Sequence, residues 1–301
     1  MDLSTTLTLI ALWLIVVAVA LLLFVYPRYR RRKLDATPFP PAWLMILRDN
    51  LKVYRAMWPN QQEQLRRLII RFLDSKQFIG CGELVITDEI RVTIAAHACL
   101  LLLNRTSNEY QDLRSILVYP SGFVVDREHH DESGVVTEEE NYLAGESWSV
   151  GKVILAWDSV EHGLSSFADG QNVVLHEFAH QLDHESGVTN GAPLLYKKSD
   201  YRNWAQVFAR EYAALQRASD ENRETLIDPY GASDPAEFFA VVTETFYERP
   251  HEMASAHPEL FAELLAYYRV DPREWQPPPP AGRLQAFNKH TDSGKSPHAS
   301  G

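Results

Sequence analysis

Apolar and polar positions divide the chain before any residue chemistry is considered. Leu7 to Val25 is almost wholly apolar and carries no charge. As a helix, these 19 residues span about 28 Å, close to the hydrocarbon thickness of a bilayer. The next eight residues, Tyr26 to Lys33, carry five positive charges, against Asp2 alone before the run. That asymmetry predicts a single-pass anchor in the inner (cytoplasmic) membrane, with the carboxy-terminal bulk in the cytoplasm and Tyr26 and Tyr29 at the interface. A cleaved signal peptide would need basic residues before a shorter apolar run and a small-residue cleavage site, and none of these is present.

Ala36 to Ala42 is a short proline-rich linker, and helical periodicity follows it. Helices are predicted over Trp43–Trp58 and Gln61–Lys76, separated by Pro59. Phe78–Gly82 reads as a loop and Glu83–Ile86 as a short strand. Thr87 or Asp88 caps a helix to about Leu103 that is apolar nearly all round, which is expected of a central core helix. His97 within it reads as a core histidine bonded to a neighbour. Ile116–Tyr119 and Phe123–Val125 are predicted strands around a Pro120-Ser121-Gly122 turn. Asp126 to Asn141 reads as a solvated acidic loop, in which His129-His130 has poor spacing for one metal ion. Val153–Trp157 is a predicted strand and the candidate to pair with an extended ligand backbone. Late helices are expected around Phe208, Tyr212 and Leu215, from Ser233 to Glu248, and over Pro258–Arg269. Pro277–Pro280 ends regular structure. The segments define an anchor and basic flank (1–33), a folded domain (34–275) and a proline-rich tail (276–301) expected to be disordered.

Between the last strand and those helices lies His176-Glu177-Phe178-Ala179-His180, an H-E-x-x-H pattern. Leu175, Phe178, Ala179 and Leu182 recur at i, i+3, i+4, i+7 and form an apolar stripe about 130° round the helix from the histidines. One face therefore packs while another presents ligands. Asp169 or Asn172 can start this helix and Gly187 can end it. Imidazoles four residues apart stack on one face and can grip one zinc ion, and Glu177 can reach a water on that ion.

Composition narrows the picture further. With 301 residues and 46% apolar content, the chain can bury a sizeable core. A net charge of −11 argues against nucleic acid as a partner. Cys81 and Cys99 have no metal or disulfide spacing and are expected to be buried free thiols.

A catalytic zinc usually takes a third protein ligand. Asp183 is too close to His180 for that and is a candidate to orient a histidine instead. His184 lies about 12 Å along the axis from His176. The metzincin continuation would need glycine at 183 and histidine at 186, where this chain has Asp and Ser. A glutamate from a later helix is the simplest ligand, and Glu211, Glu237 and Glu244 compete. Glu237 has another reading as part of the helix start, with Asp234 as cap and Pro235 in the first turn.

The run Phe78–Asn104, the HEFAHQLD run (176–183) and Asp228 to Ala240 (DPYGASDPAEFFA) together resemble the Mlc titration factor A family of zinc-dependent peptidases. That family is itself similar in its catalytic core to anthrax lethal factor. The resemblance covers most of residues 40–270. It implies an α+β, zincin-like fold, predominantly helical, with a small mixed sheet beside the H-E-x-x-H helix. It implies a gluzincin-type site in which His176, His180 and Glu237 match the zinc ligands, Glu177 the general base, and Tyr230 a tyrosine stabilising the oxyanion. The expected activity is zinc-dependent hydrolysis of peptide bonds in a peptide or protein substrate, by endo- or aminopeptidase action. The family's name also suggests a transcriptional regulator as partner. The alternative reading is therefore a membrane-tethered protein that sequesters a regulator and holds zinc without catalysis. The anchor departs from the soluble members of the family.

Overall fold

The computed structural model describes residues 3–105, 110–130, 136–143, 145–146, 151–165 and 170–279. Its amino-terminal part is one continuous helical rod: α1 (Leu3–Ala20), a π-helical turn (Leu21–Val25) and α2 (Tyr26–Asp35). Within it, Leu9–Asp35 is long and apolar enough to cross a membrane, and its apolar side chains are exposed. The rod ends against the folded domain, where Arg30 pairs with Asp74 at 2.7 Å and Arg71 pairs with Asp35.

The domain begins with α3 (Pro41–Asn50), a 3-10 turn (Lys52–Ala56) and α4 (Pro59–Ser75). The sequence predicted one helix through to Trp58. It stops at Asn50 because Leu51 adopts an extended conformation and is fully buried, while Asn50 donates to Thr93 Oγ1 at 2.8 Å. Tertiary packing overrides local propensity there.

Next come β1 (Gln77–Gly80), α5 (Asp88–Leu100) and β2 (Ser115–Tyr119). The expected loop at Phe78–Gly82 is largely strand, and the expected strand at Glu83–Ile86 is a turn. Gly82 and Glu83 both have positive φ, which lies outside regular β conformation, while Gln77–Gly80 pair in parallel with Ser115–Val118. Helix α5 is capped by Thr87, accepting from Ile90 N–H, and is buried continuously from Val92 to Leu100. His97 is a core residue whose Nδ1 lies 3.0 Å from the Thr93 carbonyl oxygen.

The acidic stretch expected to be a loop carries an antiparallel ribbon, β3 (Phe123–His130) with β4 (Val136–Leu143), in register from Phe123↔Leu143 to His130↔Val136. Charge marks a segment as solvated, but a ribbon can be solvated too. The remaining strands are β5 (Gly145–Glu146) and β6 (Lys152–Ala156). The main sheet runs β1-β2-β6-β5, with the first three strands parallel and β5 antiparallel to β6. Strand β6 thus lies between β2 and β5, which pairs with its Ile154 and Leu155, so among the described residues these two positions, in the strand expected to pair with a ligand backbone, already have neighbours on both sides.

The second half is helical: α6 (Trp157–Ser165), α7 (Val173–His184), α8 (Asp200–Asp220), a 3-10 turn (Pro229–Ala232), α9 (Pro235–Glu248), α10 (Pro250–Ala256), α11 (Pro258–Tyr268) and a final 3-10 turn (Pro272–Trp275). Helices α6 and α10 had no strong periodic signal. Helix α9 is central, with every residue from Ala236 to Glu248 buried. Helix α7 packs along α9 on one side and against β5, β6 and α5 on others. The fold is α+β and zincin-like, mostly helical, with a small mixed sheet beside α7. Cys99 is a buried thiol as expected, Cys81 is only half-buried, and the two form no disulfide. The disorder expected of the tail, over 280–301, lies outside the described residues.

Phe178 fixes the packed face of α7. Its ring lies 5.7 Å from Phe72 and 4.8 Å from Tyr110, and Tyr110 donates to the Ala98 carbonyl at 2.7 Å. Phe178→Ala should cost about 3–5 kcal/mol in denaturant unfolding, through lost burial plus the cavity left between α4, α5 and α7.

Candidate active site

Two helix starts set the site. Asn172 caps α7 by accepting from Leu175 N–H at 3.1 Å, which places His176 and His180 on one face of the next turns. The alternative cap, Asp169, lies outside the described residues. Asp234 caps α9, with its Oδ1 accepting from Ala236 N–H at 2.7 Å and Glu237 N–H at 3.0 Å. The cap reading of this segment is correct for Asp234, and it leaves the Glu237 side chain free to face α7.

His176, His180 and Glu237 converge, with candidate ligand atoms all within 4.8 Å of one another. Glu237 Oε2 is 3.0 Å from His176 Nε2 and 3.5 Å from His180 Nε2, and the two Nε2 atoms are 3.2 Å apart. Donors bound at about 2.0–2.1 Å to one tetrahedral ion stand roughly 3.3 Å apart, so these spacings fit a small divalent ion. Glu237 Oε2 and Glu177 Oε2 are buried, and no aligned hydrogen-bond donor reaches either among the described residues. Such orphaned acceptors are costly unless a cation neutralises them. The donor set therefore fits a metal by both spacing and charge.

The electrostatics follow from burial. Burial alone would raise the Glu237 carboxyl, but the adjacent imidazoles of His176 and His180 overcome it and bring it down to about 2. Glu177, only 4% exposed, goes the other way. Burial pushes it up to about 7 despite both histidines, placing it in the range useful for proton transfer. Burial opposes the charged form of His176, yet contacts with Glu237 and Glu244 hold it well above the usual histidine value.

Of the other candidates, none joins the cluster. Glu211 pairs with His257 at 2.9 Å and with Arg210 at 3.0 Å. His184 turns to Thr189 at 3.1 Å. Asp183 was expected to orient a ligand histidine, but it accepts from Gly191 N–H at 2.6 Å and ties down the loop after α7. Glu244 lies behind His176, with its Oε1 2.8 Å from Nδ1 on the side of the ring away from Glu237.

Tyr230 stands beside the cluster, its ring centroid 6.1 Å from that of His176 and its surface 58% exposed. Asp228 fixes it by accepting from Tyr230 N–H at 2.9 Å, and Gln171 donates to the other Asp228 oxygen at 2.9 Å. Burial and the carboxylates of Glu237 and Glu177 push the phenol up to about 12, so it stays protonated and able to donate. His176, Glu177 and Tyr230 line a cavity of about 650 Å³, with Asp158 and His162 of α6 on its wall. Reasoning from sequence missed both α6 residues. The only signal for them was their position just after the last sheet strand, where clefts beside α/β layers form.

A largely buried His-His-Glu cluster with an adjacent carboxylate, opening on a cleft beside a small mixed sheet, defines a metallopeptidase-type centre. The pattern of the glucose-regulated metallo-peptidase M90 family matches residues 26–269, and the chain belongs to this family. A metallopeptidase family implies a divalent metal, and the triad is where this chain can hold it. Among relatives, the chain is 46% identical over 251 residues to the uncharacterized protein slr2042 of Synechocystis sp., covering 82% of this chain and 91% of the other. It is 33% identical over 223 residues to Mlc titration factor A of Pectobacterium atrosepticum, covering 72% and 83%. The Klebsiella pneumoniae (strain 342) protein of the same name is also 33% identical, over 220 residues, covering 71% and 81%.

Gly191 connects the two helices, since a Cβ there would lie 2.2 Å from the Pro235 carbonyl oxygen and its φ is +76°. Gly191→Ala should therefore push on the first turn of α9, displace Glu237 and lower metal content in elemental analysis. Glu237→Ala should lower it further by deleting the carboxylate itself. Metal content equal to wild type in Glu237→Ala would remove Glu237 from the ligand set.

Proposed function

We propose that this chain is a membrane-anchored zinc metallopeptidase. Residues 7–25 serve as the span, and residues 34–275 form a peptidase domain held in the cytoplasm. The observation that carries the reading is the His176-His180-Glu237 cluster with Glu177 buried beside it and a cleft in front. Two imidazoles and one carboxylate at tetrahedral spacing suit zinc better than magnesium or calcium, which prefer all-oxygen octahedral or larger shells. Three protein ligands rather than four leave room for substrate, as a catalytic site requires.

His176, His180 and Glu237 would hold the zinc, which supplies Lewis acidity toward a peptide carbonyl and an attacking water. Glu177 takes the proton of that water and later passes it to the leaving amine. Tyr230, protonated across the neutral pH range, donates a hydrogen bond to the oxyanion of the tetrahedral intermediate. Asp228 and the cap at Asn172 act indirectly, holding Tyr230 and α7 in place.

Binding of a regulator through the same domain is the second reading. It rests on the name Mlc titration factor A, borne by relatives that span most of this domain. Turnover separates the two. Glu177→Gln should retain zinc and lower kcat on a peptide library by about 10²–10⁴-fold, the usual scale for a general base. Tyr230→Phe should lower kcat by about 10²–10³-fold with KM little changed. Absence of chelator-sensitive peptide cleavage by the zinc-loaded wild-type chain in detergent would leave the binding role.

A further inference from the structure

We infer that Glu244 is a positioning residue that fixes which nitrogen His176 offers to the metal. The inference rests on the proposed metal centre. Glu244 lies seven residues after Glu237 on the same buried helix, and its two carboxylate oxygens have separate partners. Oε1 is 2.8 Å from His176 Nδ1, while Oε2 accepts the backbone N–H of Asn172.

An ionised carboxylate only accepts, and a backbone N–H only donates. With Oε2 committed to the Asn172 amide, Oε1 faces His176 Nδ1 as an acceptor and requires the proton on that nitrogen. In the neutral ring that binds a metal, the lone pair is then on Nε2, the atom 3.0 Å from Glu237 Oε2 and 3.2 Å from His180 Nε2. A neutral imidazole has one donor and one acceptor nitrogen, and the partner of one sets the role of the other.

The same contacts fix the direction of the ring. Asn172 is the cap of α7, and its Nδ2 donates to Glu248 Oε1 at 3.0 Å. Glu248 Oε2 accepts from Gly170 N–H at 3.1 Å. Glu244 and Glu248, one turn apart on α9, thus hold the segment that starts α7, and Glu244 also touches a metal-facing histidine. A glutamine at 244 has one accepting oxygen and one donating amide. It can serve His176 Nδ1–H or Asn172 N–H, not both.

The test uses the full chain in detergent, with zinc affinity measured by chelator competition, thermal unfolding followed alongside, and His176 nitrogen shifts read by 15N NMR. Wild type should bind one zinc per chain with His176 protonated at Nδ1 and metallated at Nε2. Glu244→Gln should bind zinc about 10–100-fold more weakly. Glu248→Gln should lower the melting temperature without changing zinc affinity. Zinc affinity of Glu244→Gln equal to wild type overturns the inference, as does an equal loss in Glu248→Gln. Because Glu244→Gln can fail to fold, the wild-type spectrum is a second test: zinc on Nδ1 of His176 also overturns it. A wild-type chain that binds no zinc refutes the metal centre itself, a result distinguishable from all of these.

Discussion

The structure turns on the crossing of α7 and α9, where two imidazoles and four carboxylates are removed from water together. Isolated buried charges cost several kcal/mol each, so such a crossing persists only if each oxygen and ring nitrogen has a partner. Glu244 and Glu248 find theirs in the amides that open α7. Glu237 and Glu177 keep oxygens with no aligned donor, and those oxygens face the two Nε2 atoms or lie beside them. The interior is thus satisfied on the side that builds the helices and left incomplete on the side that faces the cleft. That asymmetry is what a site able to hold a cation requires.

The same crossing separates the protonation behaviour of like groups. Glu237 and Glu177 are both buried glutamates within reach of the same histidines, yet one is driven down to about 2 and the other up to about 7. The difference is direct contact with the rings, which favours the anion, against burial without it, which favours the acid. Two carboxyls pushed apart in this way are suited to different work, one to hold a cation and the other to exchange a proton.

Local rules carried the reading of the sequence far where they were strong. The cap at Thr87, the apolar α5, the start of α7 at Asn172 and the Asp234-Pro235 start of α9 all follow from short-range chemistry, and the structure has each of them. The H-E-x-x-H spacing places its two histidines together because a helix admits no other outcome. Choosing among Glu211, Glu237 and Glu244 was beyond spacing. All three sit on buried helix faces, and only the approach of α9 to α7 distinguishes a carboxylate facing both Nε2 atoms from one facing Nδ1. Family resemblance chose Glu237, which the geometry brings to the cluster. The misses at Leu51 and at Gln77–Gly80 have a common cause. Each depends on a partner distant in sequence, α5 for the first and β2 for the second, and no local pattern encodes it.

The rod formed by α1 and α2 adds a constraint on how the domain sits. A flexible linker would let the domain tumble, but α2 continues the apolar helix without a break and is held to α4 through Arg30–Asp74 and Arg71–Asp35. Its ten residues extend about 15 Å past the apolar segment, so under the proposed anchoring the domain stands within one or two Debye lengths of the lipid surface. The basic residues are concentrated at that junction, whereas the chain as a whole carries a charge of −11. Under that same anchoring, this positively charged collar would let an acidic domain lie beside an anionic leaflet without being repelled from it.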